Sequence, residues 1–448
     1  MEADPAPHVA ILPSPGIGHI IPLLAFGRRL VSVHGLRATV FIITTEASAA
    51  QSHLVRSAAH PDGLRLVELP PSTSDVPMDA TIETRISVFV RDSLPSLRSA
   101  LMASPRGPDV LVVDIFGTDA FDVADELGMY KTEDGYKWLL RHCRRFPMAR
   151  GILVNTCAEM EPEPLAAMTE EPAFTEIPTP RVFPVGPLIH SAPDSPVDTY
   201  PLQWLDSQPE GSVLFVSFGS GGTLSAEQTA ELGCGLELSG QRFLWVIRRP
   251  VGGSSAATFF TCGGDPDDPA SYLPEGFTKR TEGRGFLLPS WAPQVAILRH
   301  PAVGGFMTHG GWNSILESLT HGVAMVVWPL YAEQRMNATK LEEELGVAVR
   351  VREVEEAAGG PVVRREEVER VARLLMEEGE ERKAMKAKAA ELREDFARVL
   401  GEGGSSRSSL ARLVSEWRQK GFDDADFRRH LNAPRSSGSP DVSSSTVR

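Results

Sequence analysis

The chain has 448 residues, 42% of them hydrophobic, with 59 Asp and Glu against 45 Lys and Arg for a net charge of −14. That length allows two or three domains with sizeable cores, and the acidic balance speaks against nucleic acid as a partner, so any nucleotide must be held by a local site. Cys143, Cys157, Cys234 and Cys262 are scattered without C-x-x-C spacing, which indicates neither a disulfide framework nor a zinc site and points to reduced, cytoplasmic thiols.

In chain order, residues 8–12 predict a strand. Pro13-Ser14-Pro15-Gly16-Ile17-Gly18-His19 then turns it into a helix, in which Ile20, Leu23, Leu24, Leu30 and Val31 keep a helical period up to Gly35. Prolines and glycines break this apolar run and no basic region precedes it, so it does not read as a signal peptide. No stretch of about 20 unbroken apolar residues offers a membrane span. The Gly-x-Gly lacks the third glycine and the acidic residue of a dinucleotide fingerprint, which argues against a nicotinamide dehydrogenase of the same fold class. Residues 38–43 and 64–69 predict further strands, Ile86, Phe89, Val90, Leu94 and Leu97 an amphipathic helix, and residues 109–114 a buried strand ending in Asp114. Parallel strands bring their carboxyl ends to one edge, so Asp114 can meet His19. A histidine backed by a carboxylate is the arrangement of a general base, although the same spacing suits two loop residues facing water.

Residues 151–155 and 181–185 predict two more strands, and the Pro- and Ser-containing stretch 188–201 a linker. Residues 213–218 open a second sheet and end in Gly219-Ser220-Gly221-Gly222-Thr223, which lacks the Lys-Ser/Thr of a P-loop. A strand at 243–247 and a loop at 252–270 lead to Trp291, whose flat face suits a base. The strand 303–307 runs through His309-Gly310-Gly311-Trp312-Asn313-Ser314 into a helix beginning near Ser314, and such a helix start favours a phosphate. Asn313 and Ser314 can cap the helix or bond an anion, and His309 adds a donor. Glu317, on the same helix face as Ser314, suits ribose hydroxyls, though Ser-x-x-Glu is equally a capping box. Glu333 and Gln334 follow a strand at 324–328, at a carboxyl end where open α/β sheets bind ligands. Asn337-Ala338-Thr339 matches a glycosylation acceptor, without meaning inside a cell. Residues 346–351 predict the last strand, Leu410, Leu413, Val414 and Trp417 a short amphipathic helix, and residues 421–448 have too few apolar side chains to fold.

The 44 residues from Trp291 to Gln334 resemble the donor-binding signature of plant family-one UDP-glycosyltransferases. PSPGIGHI and VVDIFGTDAFDVADELG resemble that family's catalytic-His and catalytic-Asp segments, and VVDIFGTDAFDVA with SFGSGGTLS is similar to its hydroquinone, phenol-glucosylating branch. The resemblance implies two doubly wound, Rossmann-like α/β domains facing a cleft, the GT-B arrangement. Residues 1–187 would bind the acceptor, 202–402 would bind UDP-sugar beyond a linker at 188–201, a helix at 403–420 would return to the first domain, and 421–448 would form a tail.

By the same resemblance His19 is the base and Asp114 its partner in an inverting transfer. Trp291 stacks on uracil, Gln294 bonds its edge, and His309, Trp312, Asn313 and Ser314 hold the diphosphate with Ser220. Ser14 and Ala292 join the donor contacts, Glu317 takes the ribose, and Glu333 and Gln334 take the sugar hydroxyls. The final Gln matches the glucose-using form, with UDP-glucose as donor and no metal or other cofactor. A small phenol is the expected acceptor and a monomer the expected state. Gly310 stands where the family usually has Cys. After Gly128 the family continues with a strand, a helix and a loop that line the acceptor site, whereas here Met129 runs directly into Tyr130-Lys131-Thr132-Glu133-Asp134. At least one βα unit, roughly 30 residues, is expected to be missing. Its loss exposes strand edges and leaves a second possibility, a UDP-binding pseudoenzyme or the inactive product of faulty splicing or gene prediction.

Overall fold

Strands and helices alternate along the chain and sort into two parallel sheets. Apart from isolated positions, the computed structural model describes residues 6–47, 60–103, 108–119, 151–170, 180–189, 200–250, 269–356 and 360–419, with shorter pieces at 51–55 and 142–149. The expected tail, most of the linker and the junction after Gly128 lie outside the described residues.

The first sheet runs β1 (His8–Leu12), β2 (Arg37–Ile43), β3 (Leu64–Leu69) and β4 (Val110–Val113) in the order β3-β2-β1-β4, all parallel, with α1 (Ile17–His34) and α2 (Ile82–Met102) as crossovers. Its inner strands are largely apolar because both faces are covered, while the edge strand β3 exposes Arg65 and Glu68. Val9, Ile11 and Val40 pack with Ile20, Leu24 and Leu30 of α1, while Ala10, Leu12, Phe41 and Ile43 pack with Ile86, Phe89 and Val90 of α2. The register Leu12↔Val113 brings the exits of β1 and β4 side by side, which carries His19 towards Asp114.

β5 (Ile152–Val154) and β6 (Val182–Pro184) form a separate parallel pair. Leu153, Phe183 and Val185 nevertheless share a core with Val9, Ile11 and Val112. Among the described residues β4 pairs only with β1, and β5 only with β6.

The second sheet has six parallel strands, β7 (Val213–Ser217), β8 (Arg242–Ile247), β9 (Gly285–Pro289), β10 (Val303–Thr308), β11 (Met325–Val327) and β12 (Ala348–Arg350), in the order β12-β11-β10-β7-β8-β9. Its core is continuous, with Phe215 and Phe306 stacked at 4.9 Å between ring centres. α3 (Ala226–Ser239), α4 (Trp312–Thr320), α5 (Gln334–Thr339) and α6 (Arg365–Met376) flank it. The order reverses between β7 and β10, and at such a switch point the loops leaving the two strands part and open a crevice. A small antiparallel pair, Val354–Glu356 with Gly360–Val362, follows β12 and was not expected from the sequence.

α7 (Glu380–Leu400) leads to α8 (Ser405–Gln419), which crosses to the first domain. Leu410, Leu413 and Val414 enter the core of β1 and α1, Arg418 donates to the His34 carbonyl at 2.6 Å, and Arg181 pairs with Glu416. The two domains therefore share a helix. Leu410 is fully buried, so Leu410→Ala should cost about 2–5 kcal/mol in urea unfolding, whereas Ala at the exposed Arg407 should cost under about 0.5 kcal/mol.

Candidate active site

The carboxyl edge of the first sheet carries a histidine–carboxylate pair. His19 Nδ1 lies 2.9 Å from Asp114 Oδ2, with the side chains 24% and 15% exposed. A carboxylate only accepts, so the proton sits on Nδ1 and the lone pair of the neutral ring is on Nε2. Asp114 is held in turn. The Ser14 N–H donates to Oδ2 at 2.9 Å, the Ser14 hydroxyl donates to Oδ1, and the Phe116 N–H reaches Oδ1 at 3.2 Å. Burial works to raise the Asp114 carboxyl, but His19 and the Ser14 bonds hold it below its ordinary value. For His19, burial works to lower the imidazole, and the charge and hydrogen bond of Asp114, with the more distant charge of Glu333, carry it above 6.5. Ser14, expected among the donor contacts, thus spends both its hydroxyl and its N–H on Asp114. Phe116, which the sequence did not single out, stands edge-on to His19 at 5.8 Å between ring centres.

The second sheet faces this pair with the loops of its switch point. His309 leaves β10 and lies between two glycines. A Cβ on Gly219 would stand 2.4 Å from His309 Cε1, and one on Gly311 2.5 Å from Nε2, so only glycine fits at either place. Burial first, and the charge of Arg248 second, lower His309 to about 4. It is therefore neutral near pH 7 and offers an N–H dipole rather than a cation. Gly310 takes φ +79°, and a side chain there would meet Val327 Cγ1 at 2.7 Å, so the turn suits glycine specifically. Asn337, the residue of the apparent glycosylation acceptor, is buried and donates to the Gly310 carbonyl at 2.9 Å.

α4 begins at Trp312 rather than near Ser314, with Gly311 as its N-cap. No side-chain cap forms, which removes the capping-box reading of Ser314 and Glu317. Instead Gln294 donates to Ser314 Oγ at 3.0 Å and to Glu317 Oε2 at 2.6 Å. Glu317 is almost fully buried, and this burial pushes its carboxyl up to about 7 against the opposing bond from Gln294. Trp291, at the exit of β9, is 45% exposed and Ala292 beside it is buried. Gln334 turns its Oε1 onto the Leu330 and Tyr331 N–H groups at 2.8 and 3.0 Å, shaping the loop that holds Glu333. Ser290 and Ala332 adopt φ +61° and +53°, so left-handed backbone occurs both before Trp291 and before Glu333. Strain of this kind, about 1–3 kcal/mol each, collects at functional loops.

Besides the contacts of α8, hydrogen bonds from the start of α4 join the halves. Trp312 Nε1 donates to the Asn155 carbonyl at 2.7 Å, and Asn313 Nδ2 donates to the Gly18 carbonyl at 2.6 Å. The second has a local cause: in α1 the Gly18 carbonyl should receive the N–H of residue 22, but Pro22 has none. The unmatched carbonyl accepts from the other domain, one residue from His19. The sequence missed these roles because both indole and amide were expected at a diphosphate. Arg248, at the end of β8, was also missed; a cation closing an apolar strand was the available signal.

Residues 176–359 match the family described as UDP-glucoronosyl and UDP-glucosyl transferase. The chain is 42% identical over 480 residues to UDP-glycosyltransferase 72B1 of Arabidopsis thaliana, covering 93% of this chain and 98% of that one. It is also 42% identical to hydroquinone glucosyltransferase of Rauvolfia serpentina, over 92% of this chain and 98% of the relative. Its fold is similar to that of Phytolacca americana UGT2 complexed with UDP-2fluoro-glucose and pterostilbene, with TM-score 0.76, 36% identity, and 93% and 100% of the two chains covered. The 480-residue alignment is longer than this chain's 448 residues, so the Arabidopsis protein carries sequence inside the aligned span that is absent here.

Glu317 yields a test of the geometry. Its proton is bound more tightly in the folded state, so the resulting stabilisation is complete below pH about 4.5 and is lost as pH rises through about 7. Glu317→Gln stays neutral and should gain on the unmodified protein between about pH 5 and pH 8, by up to about 3 kcal/mol in urea unfolding without donor. A pH-independent difference would contradict the burial of this carboxyl.

Proposed function

Because the chain belongs to the UDP-glycosyltransferase family, we propose that it transfers glucose from UDP-glucose to the hydroxyl of a small phenolic or flavonoid acceptor, with inversion and with His19 as the base. The observation that carries this reading is the 2.9 Å pairing of His19 with Asp114 beside the donor loops.

In the reaction His19 Nε2 takes the acceptor's hydroxyl proton as the oxygen forms its bond to the anomeric carbon. The bond from that carbon to the diphosphate oxygen breaks on the opposite face, and UDP leaves with the electron pair. Attack from one face and departure from the other inverts the centre. Asp114 stabilises the imidazolium, and its many bonds keep it ionised for that task. Phenols suit the base because their pKa of about 10 demands less of it than an alcohol does. The departing diphosphate meets the open N–H groups at the start of α4, with Ser314, Ser220 and the neutral His309 as further donors. Trp291 offers a face to the uracil, Glu317 an acceptor to the ribose, and Glu333 and Gln334 a polar wall to the glucose.

Among the described residues β4 and β5 do not pair with each other, which supports a second reading, in which UDP binds and transfer fails because the acceptor wall is incomplete. Glucoside formation from UDP-glucose and a panel of phenols and flavonols, read by mass spectrometry with UDP binding on the same sample, separates the two. His19→Ala should lower transfer by about 10²–10⁴ and leave UDP affinity unchanged; loss of both would overturn the role given to His19. The base must be neutral, so kcat/KM should rise with pH through a midpoint above 6.5. Asp114→Asn should move that midpoint down.

A further inference from the structure

β8 lies between β7 and β9 in the sheet, and the residue that follows it reaches the loops on both sides. Arg248 Nη1 donates to the Ser220 carbonyl at 2.5 Å, in the glycine loop after β7, and Nε donates to the Ser290 carbonyl at 3.3 Å, in the turn after β9. These loops have separate tasks in the proposed reaction. The first carries Gly219, which packs on His309 at the diphosphate end, and the second carries Trp291 at the base end.

The Ser290 turn needs such a support. Its φ of +61° is a conformation that L side chains rarely adopt, and it is fixed from one side by the Ser290 N–H on the Ile247 carbonyl at 2.9 Å. Arg248 fixes the other side. A guanidinium is a planar fork with fixed donor directions and can hold two carbonyls at a set spacing, whereas an ammonium on a flexible stem is a single point charge.

We propose that Arg248 is a positioning residue of the donor site, which holds the base platform and the diphosphate loop at one spacing so that both ends of the nucleotide bind together. This rests on the reading of the site as one for a UDP-sugar. A residue with only a charge to offer the diphosphate would leave uridine binding untouched. A clamp sets the base platform as well.

The test is the affinity of UDP, by calorimetry, and of uridine, by NMR titration, for the full chain and for Arg248→Ala, Arg248→Lys and Arg248→Gln. UDP binding by the unmodified chain tests the donor reading by itself. The clamp predicts that Arg248→Ala weakens UDP at least tenfold and uridine at least threefold, and that Arg248→Lys recovers neither. It is overturned if Lys restores UDP affinity, if uridine affinity is unchanged in Arg248→Ala, or if neither ligand responds. Should Arg248→Ala fail to fold, Lys and Gln carry the same test, and the proposal then requires both to bind uridine and UDP more weakly.

Discussion

A carbonyl deprived of its helical donor joins the two halves of this molecule. Pro22 has no N–H to give the Gly18 carbonyl, so that carbonyl, next to His19, is available to accept from Asn313 Nδ2 at 2.6 Å. The two glycine-bearing turns are thereby brought against each other, one delivering the histidine and the other the start of α4. A proline within the early turns of α1 is therefore a local fault in the helix ladder with a use across the cleft. Trp312 repeats the logic by donating to the Asn155 carbonyl at the exit of β5. The sheets are built from unrelated stretches of chain, and among the described residues they are joined by these polar bonds, by Cys157 and Met160 entering the core of the second domain, and by the shared helix α8.

Burial and local charge then shift the ionisable groups of the cleft in different directions. His309 is buried and His19 partly so, yet they shift in opposite directions. Asp114 more than offsets the desolvation of His19, whereas His309 has glycines on either side and the positive Arg248 nearby. One imidazole is made more basic and the other is kept neutral. Glu317, with an amide rather than a cation as partner, rises to about 7. Such separation of titration ranges within one cleft is the pattern expected of a site with distinct acid–base and binding tasks.

Among the described residues the first sheet ends at β4, and β5 and β6 pair separately. The pair β1 and β4 that brings His19 to Asp114 is formed by strands that precede the expected gap.

The sequence by itself determined the alternating strands and helices, the two carboxyl-edge loops and the residues they carry. Apolar runs buried on both faces and glycine-rich turns are local signals, readable without neighbours. The break expected after Gly128 came from the family resemblance and lies outside the described residues. Only the tertiary structure decided how polar side chains are spent. Ser14 supports Asp114 and Gln294 bonds Glu317. Asn313 reaches Gly18, and Arg248 spans the two loops beside β8. A side-chain donor can serve any acceptor within its reach, and which acceptors those are is fixed by strand order and by the approach of one domain to the other. Neither is written in the spacing of residues along the chain.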